Sequence, residues 1–240
     1  MASSRKNVLQ PSSQEDVNRF LQQVRSTALP AKRDGRARLI FGMDATASRE
    51  PLWDRACHIQ AQMFAATASM GGIEIQLAYY RGFGEFKAAP WAAEADVLQK
   101  RMTSICCAAG QTQIRRLLKH ALEQARSKQG AVSALVFVGD CMEEDPDSLA
   151  QLAGELGILS VPVFLFQDGA DPIAAKTFST LARLTRGAHC RFDANSAAQL
   201  RDLLCAVAVY AAGGRKALAD HGKQRGGEVL RLIAQLDSRG

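Results

Sequence analysis

Short apolar runs alternate along the chain with longer stretches in which apolar residues recur every three or four positions. The runs are LIFGM, IEIQLAYY, ALVFV and VPVFLF, and each has the length of a buried strand. Pro51 and the Gly71-Gly72 pair predict the two ends of one helix. Helical spacing predicts five further helices in the core, at about 92–102, 113–128, 149–156, 174–185 and 196–212.

The alternation of strands with helices is typical of βαβ units, in which right-handed crossovers connect parallel strands. The strand runs are almost continuously apolar, as expected for strands that are covered on both faces. The segment GFGEFKAAP is rich in turn residues and leaves room for a short edge strand. The sequence therefore predicts an α/β fold of three layers, with a doubly wound, mostly parallel sheet between two layers of helices.

The pattern divides the chain into a core and two terminal segments. Residues 1–36 are expected to form a helical extension and a polar linker, with Ser13 as the helix cap and Pro30 at its end. The core is expected at 37–212. Residues 213–240 follow a Gly-Gly break and predict a broken, basic helical tail. Two interpretations of this tail remain open, because its apolar stripe suits either packing on the core or binding to a partner.

Composition narrows the class of protein. A chain of 240 residues with 47% apolar content is large enough for one core. The net charge is +6, but the basic residues are scattered and no aromatic residues interleave with them, so nucleic-acid binding is not expected. There is no apolar signal core and no apolar run long enough to span a membrane. The six cysteines show no metal or disulfide spacing. We therefore expect a cytoplasmic location.

Three polar loops are expected at the carboxyl edge of the sheet, where open parallel sheets place their binding sites. They contain Asp44, Thr46 and Ser48 after the first strand, Thr112 at a helix start, and Asp140 after the run ALVFV. Two carboxylates and three hydroxyls form a hard-oxygen set that suits Mg²⁺ or Mn²⁺ better than zinc or copper. Because three of the ligands are neutral, the metal would remain a strong Lewis acid for an incoming carboxylate.

This pattern resembles the von Willebrand factor A (VWA) domain and its metal-ion-dependent adhesion site. That family carries DxSxS after the first strand, a distant threonine, and an aspartate after the fourth strand. The matching residues are Asp44, Thr46 and Ser48, then Thr112, then Asp140, and the resemblance covers about residues 37–212. Thr46 replaces the usual serine but keeps the hydroxyl. Cys141 stands where a glycine commonly follows the last aspartate.

The resemblance implies a Rossmann-like fold and a role without catalysis. The hydroxyls of Thr46, Ser48 and Thr112 would approach the metal directly, and Asp44 and Asp140 would act directly or through water. One position would stay open for an Asp or Glu of a protein partner. Bacterial cytoplasmic members often serve as adaptors to an AAA+ ATPase or a chaperone machine, so such a machine is the expected kind of partner.

An alternative comes from a different class. The Asp44-x-Thr46-x-Ser48 motif also resembles the nucleophile motif of haloacid dehalogenase-like phosphatases, in which Asp44 would be phosphorylated. Asp140 and Asp145 would then match the acidic motif that holds Mg²⁺. However, these phosphatases have an aspartate as general acid two positions after the nucleophile, where this chain has Thr46. The available lysines, Lys119 and Lys128, lie on a helix face that is expected to be solvated.

Overall fold

The computed structural model describes residues 14–26, 37–52, 73–127, 132–192, 202 and 205–211. The strands are β1 (Ala37–Asp44), β2 (Ile73–Arg81), β3 (Glu85–Ala88), β4 (Val132–Gly139), β5 (Val163–Asp168) and β6 (Ala188–Phe192). The helices are α1 (Gln14–Ser26), α2 (Ala95–Thr103), α3 (Ile114–Arg126), α4 (Pro146–Ile158), α5 (Pro172–Leu184) and α6 (residues 205–211), with a 3₁₀ helix at Ala47–Leu52.

The six strands form one sheet in the order β3-β2-β1-β4-β5-β6. All neighbouring pairs are parallel except β2 and β3, which form an antiparallel hairpin at one edge. The strand order reverses at β1, because β2 lies on one side of it and β4 on the other. The carboxyl ends of β1 and β4 therefore flank the point at which α/β sheets open a crevice. The predicted fold class is confirmed.

The core has two apolar layers, one on each face of the sheet. Alternate side chains of β1 point to opposite faces, so that Leu39 and Phe41 lie in one layer and Ile40 lies in the other. The first layer contains residues from α1, α2 and α6, and the second contains residues from α3, α4 and α5. Helices cover both faces, which explains why the strand sequences are apolar throughout.

Helix α1 shares this core, although the sequence predicted a terminal extension. Phe20, Leu21 and Val24 are buried. The ring of Phe20 lies 6.2 Å from that of Phe164 and 5.2 Å from that of Phe166. The ring of Tyr210 in α6 also contacts Phe164, at 6.4 Å. Helix α1 thus packs its apolar side against β5. The predicted domain boundaries at 36 and 212 stay predictions.

Other predictions of elements are met in part. The short edge strand is β3, and the helices predicted at 92–102, 113–128, 149–156 and 174–185 are α2 to α5 with shifted bounds. Of the last core helix, residue 202 and residues 205–211 are described, and all are helical. Pro51 lies inside the 3₁₀ helix rather than at a helix start, and residues 53–72 lie outside the described part. The linker and the tail at 213–240 lie outside it as well.

Candidate metal centre

Asp44 and Asp140 meet at the carboxyl edge of the sheet. Asp44 is the last residue of β1, and Asp140 directly follows β4, its parallel neighbour. A carboxylate oxygen of each and the sulfur of Cys141 lie within 4.8 Å of one another. Strand register alone brings the two acids together, because parallel neighbours of similar length end side by side. The structure thus joins two of the five predicted ligands that are far apart in sequence.

Asp44 is fully buried and its carboxylate is held at both oxygens. The backbone amide of Thr46 donates to Oδ1 at 2.8 Å, and the hydroxyl of Tyr80 donates to Oδ2 at 3.0 Å. Burial raises the pKa of Asp44, hydrogen bonds from Thr46 oppose this, and the charge of Asp140 raises the pKa further. A cation between the two carboxylates would offset the main costs of ionising this residue.

Asp140 has a carboxylate oxygen that accepts no hydrogen bond from the described residues. Within the described part of the chain, its Oδ1 atom is inaccessible to solvent and has no hydrogen-bond partner. Buried polar atoms are nearly always paired, so an unpaired carboxylate oxygen beside a second carboxylate requires an explanation. A hard cation is the simplest group that satisfies both acids together. The donor chemistry of the residues present therefore fits Mg²⁺ or Mn²⁺.

The hydroxyls of Thr46 and Ser48 lie beside Asp44. Their oxygen atoms are 3.1 Å apart, and Thr46 hydrogen-bonds to Asp44 through both its side chain and its backbone. These contacts join Thr46 to both Asp44 and Ser48, although Ser48 belongs to the 3₁₀ helix at Ala47–Leu52 and the backbone after Thr46 is therefore not extended.

Thr112 is tied to both of the loops that carry the other candidates. The loop before it joins the turn after β1, where the amide of Ala108 donates to the carbonyl of Ala45 at 3.1 Å. The hydroxyl of Thr112 accepts a hydrogen bond from the amide of Glu143 at 3.1 Å, just beyond Asp140. Thr112 is buried in this arrangement. These two connections bring the predicted distant threonine to the same edge as the acids.

Two residues of the acidic segment after Asp140 bind the loop of Thr112 and the start of α3. The carboxylate of Glu143 accepts from the amide of Thr112 at 3.2 Å. The carboxylate of Glu144 accepts from the amides of Ile114 and Arg115, the first residues of α3. Burial raises the pKa of Glu144, and these backbone hydrogen bonds lower it. The segment therefore positions the Thr112 loop, which sequence reasoning missed.

Asp145 distinguishes the two families that the motif resembles. Its carboxylate caps α4 by accepting hydrogen bonds from the amides of Asp147 and Ser148, at 3.4 and 3.0 Å. This use of both oxygens is the ordinary role of an aspartate at a helix start. Lys119 is exposed on α3, as expected, and Lys128 lies outside the described residues. The phosphatase alternative is not favoured by this geometry.

Two further contacts were not anticipated from the sequence. Tyr80, expected in the core, places its hydroxyl on Asp44, and burial raises its pKa well above the usual value. Arg49, which follows Ser48, forms a buried ion pair with Asp168 at the end of β5. The second contact fixes the turn after β1 to a strand two positions away. Neither has a local sequence signal, since both depend on how the strands are aligned.

Cys141 stands where the resembled family commonly has a glycine, and it lies beside the two carboxylates of the candidate metal centre. Burial raises the pKa of its thiol, and the charge of Asp140 raises it further. The thiol thus stays protonated over the physiological range. Its sulfur lies within 4.8 Å of a carboxylate oxygen of each acid, and a side-chain hydrogen bond joins the thiol to Asp140.

Comparison with family models finds no match for this chain, and comparison with curated proteins finds none either. Solved structures do match. The protein BatB from Bacteroides thetaiotaomicron matches with a TM-score of 0.56 and 12% identity, over 72% of this chain and 98% of that one. A von Willebrand factor type A protein from Catenulispora acidiphila matches with a TM-score of 0.57 and 14% identity, over 72% and 43%. The SpRpn10 VWA domain matches with a TM-score of 0.55 and 10% identity, over 72% and 94%.

At these identities the matches bear on the fold alone. The chain has the α/β fold of von Willebrand factor A domains, in agreement with the fold that the Asp44-x-Thr46-x-Ser48 motif implied. Among the described helices, none combines the length and the apolar character needed to cross a bilayer. The predicted cytoplasmic location is not tested by this observation.

Proposed function

We propose that this chain is a protein-interaction module that holds one Mg²⁺ or Mn²⁺ with Asp44, Thr46, Ser48, Thr112 and Asp140. The observation that carries the proposal is the pair of carboxylates at the ends of β1 and β4. Their oxygens lie within 4.8 Å, and one of them is buried without a partner among the described residues. No catalysis is assigned to the site, because the phosphatase alternative lacks its general acid at Thr46 and because Asp145 caps α4.

The charge of the site supports a carboxylate as the group it recognises. Asp44 and Asp140 supply two formal negative charges, and the hydroxyls supply none. A divalent ion held in this way is formally neutralised but not surrounded by anions, so a third carboxylate remains electrostatically acceptable. Mg²⁺ usually keeps some of its six positions for water, which such an oxygen can replace. The partner is accordingly a protein that presents an Asp or Glu.

The class of partner rests on the family resemblance rather than on geometry. Bacterial cytoplasmic proteins with this motif often connect an AAA+ ATPase or a chaperone machine to its target. We extend that role to this chain, together with the cytoplasmic location that it requires. The VWA-type fold supports a role in protein interaction, since the fold serves mainly that purpose.

Isothermal titration with MgCl₂ tests the site. Wild type should bind one ion, and Asp140→Ala should lose binding because it removes one of the two carboxylates. The fold should persist, because the substituted residue lies in a loop after β4 rather than within a strand. Asp96→Ala is the matched control, since Asp96 is exposed on α2, away from the centre. Equal Mg²⁺ affinity in wild type and Asp140→Ala would refute the proposed site.

A further inference from the structure

The turn between β2 and β3 presents an exposed aromatic side chain at the metal edge. β2 runs parallel to β1 with Tyr80 opposite Asp44, so the turn begins two residues beyond the level of the site. Phe83 lies at its tip and is 83% exposed. Gly82 and Gly84 flank it with φ angles of +60° and +138°, which residues with side chains rarely adopt. The turn thus directs Phe83 outward by its backbone conformation.

Hydrogen bonds fix this turn to the loop that carries Thr112. The carbonyl of Gly82 accepts from the amide of Gln111 at 3.3 Å and from the side chain of Gln113 at 3.2 Å. Gly110 approaches so closely that a Cβ built on it would lie 2.1 Å from the same carbonyl oxygen. The tip therefore has a defined position relative to Thr112.

Exposure by itself does not single out Phe83. Ile158 is 84% exposed at the end of α4, which returns to the opposite edge of the sheet before β5 begins. Isolated apolar residues on a surface are ordinary. Phe83 differs because a constrained turn holds it beside the candidate site. A pre-positioned aromatic side chain loses little conformational entropy on binding, and aromatic residues are enriched where interfaces gain most of their energy.

The charge around the turn is positive. Residues 81–87 and the first turn of α3 carry four cations and one carboxylate, and the cations are Arg81, Lys87, Arg115 and Arg116. Glu85 pairs with Arg81 and Lys87. Arg115 and Arg116 are exposed on α3, and Arg116 donates to the carbonyl of Gly84 in the turn. Glu143 and Glu144, which accept hydrogen bonds from backbone amides beside these cations, bring the local balance to four cations and three carboxylates. A partner that reaches this edge is therefore favoured if it is acidic.

We propose that the β2–β3 turn is a second contact point of the metal edge and that its occupant is an acidic segment of a partner protein. This inference rests on the proposed function. One carboxylate of the segment occupies the metal, and a neighbouring apolar side chain packs on Phe83. Further acidic residues of the segment face Arg115 and Arg116. Phe83 thus selects among carboxylate-bearing proteins, since the metal alone cannot distinguish one acidic side chain from another.

The probe is a set of short peptides selected from a random displayed library on the immobilised wild-type chain in Mg²⁺ and released with denaturant, after which the binding of each peptide is measured in Mg²⁺ and in EDTA. We expect the selected peptides to contain an acidic residue next to an apolar one. Phe83→Ser should weaken their binding about tenfold, whereas Ile158→Ser should change it by less than about twofold. Replacing the apolar residue of a peptide by serine should abolish the difference between wild type and Phe83→Ser.

The outcomes separate this inference from the proposed function. Peptides that need Mg²⁺ but bind Phe83→Ser as tightly as wild type would overturn the contact and leave the metal site standing. Peptides that are sensitive to Phe83→Ser but indifferent to EDTA would overturn the metal-dependent mode and with it the inference as stated. A selection that yields no acidic peptide would overturn both. Both substitutions are at exposed positions, so an altered fold is not expected to confuse the result.

Discussion

A buried threonine lies at each edge of the sheet, and the two differ in how their hydroxyls are used. At the amino edge, Thr185 donates to the carbonyl of Leu181 at 2.9 Å and accepts from the amide of Val163 at 3.1 Å. At the carboxyl edge, Thr112 accepts from the amide of Glu143 and lies on the side of the sheet where Asp140 has an unpaired buried oxygen.

The difference separates stability from binding. At the amino edge, the hydroxyl of Thr185 is hydrogen-bonded to backbone groups both as donor and as acceptor, so it connects β5 to the end of α5 without a ligand. At the carboxyl edge, two acids are brought together and one oxygen remains without a donor in the described part of the chain. Such an arrangement lowers stability unless a cation joins it. Substitutions at the two edges should therefore respond differently to added metal.

The largest effect is expected for Gly110→Ala. The new Cβ would meet the backbone of Gly82, which has no flexible side chain that could move aside. We expect a loss of unfolding free energy at the upper end of about 1–3 kcal/mol, together with loss of Mg²⁺ binding. Gly154→Ala in α4 is the control, because nothing lies within 4 Å of its position. It should stabilise the protein by up to about 1 kcal/mol. Denaturant titration measures both, and equal stability of the two variants would contradict the close contact.

Thr185→Val is expected to destabilise the amino edge. It keeps the shape of the side chain but leaves the amide of Val163 without its acceptor, at a cost of about 1–3 kcal/mol. The loss should be the same with Mg²⁺ and with EDTA, as measured by chemical unfolding. A loss that depends on metal would show that the edges are coupled and would break the comparison.

Thr112→Val should show the reverse behaviour. Mg²⁺ affinity should fall about tenfold, which corresponds to about 1.4 kcal/mol. Without metal, the loss of stability should be limited to the part-buried hydrogen bond from the amide of Glu143, so the variant should lose more stability in Mg²⁺ than in EDTA. Titration calorimetry and thermal unfolding test the two parts. If melting falls equally with and without metal, Thr112 serves only to hold the loop of Glu143.

The smallest effect concerns pH. Because the folded state raises the pKa of Asp44, the folded protein binds a proton more tightly there than the unfolded chain does. Without metal, this residue should therefore reduce stability as the pH rises from the ordinary aspartate range through the raised value. Mg²⁺ should reverse the trend, and its affinity should fall as the pH is lowered through the same window. The difference between wild type and Asp44→Asn isolates this contribution, and identical pH profiles would contradict it.

The fold was largely predictable because its signals are local. Apolar runs and helical spacing predict β1, β4, β5 and α3, and the alternation of elements predicts the parallel sheet. The meeting of Asp44 and Asp140 follows from the same rule, since Asp44 ends β1 and Asp140 directly follows its neighbour β4. The packing of α1 was not predictable, because an amphipathic pattern predicts a helix but not the surface that it covers.

The rest of the site depends on contacts between distant parts of the chain. Tyr80 reaches Asp44 only because β1 and β2 align Tyr80 with Asp44, and a shift of one residue would turn its side chain to the other face. Glu144 reaches the start of α3 across a loop whose path is not encoded locally. The composition of the acidic segment shows that it is negatively charged, but it does not show which backbone amides Glu143 and Glu144 contact. The Mg²⁺ site and its protein partner stay predictions.

The buried pair of Arg49 and Asp168 has a consequence for how this sequence can diverge. Loss of Asp168 leaves the Arg49 guanidinium in the interior without this carboxylate, at a cost of about 3–5 kcal/mol, whereas replacing both by apolar residues can be nearly neutral. A change at Asp168 alone therefore leads through a poorly folded intermediate. Among descendants of this chain, Asp168 should change only where Arg49 changes as well, although 119 residues separate them.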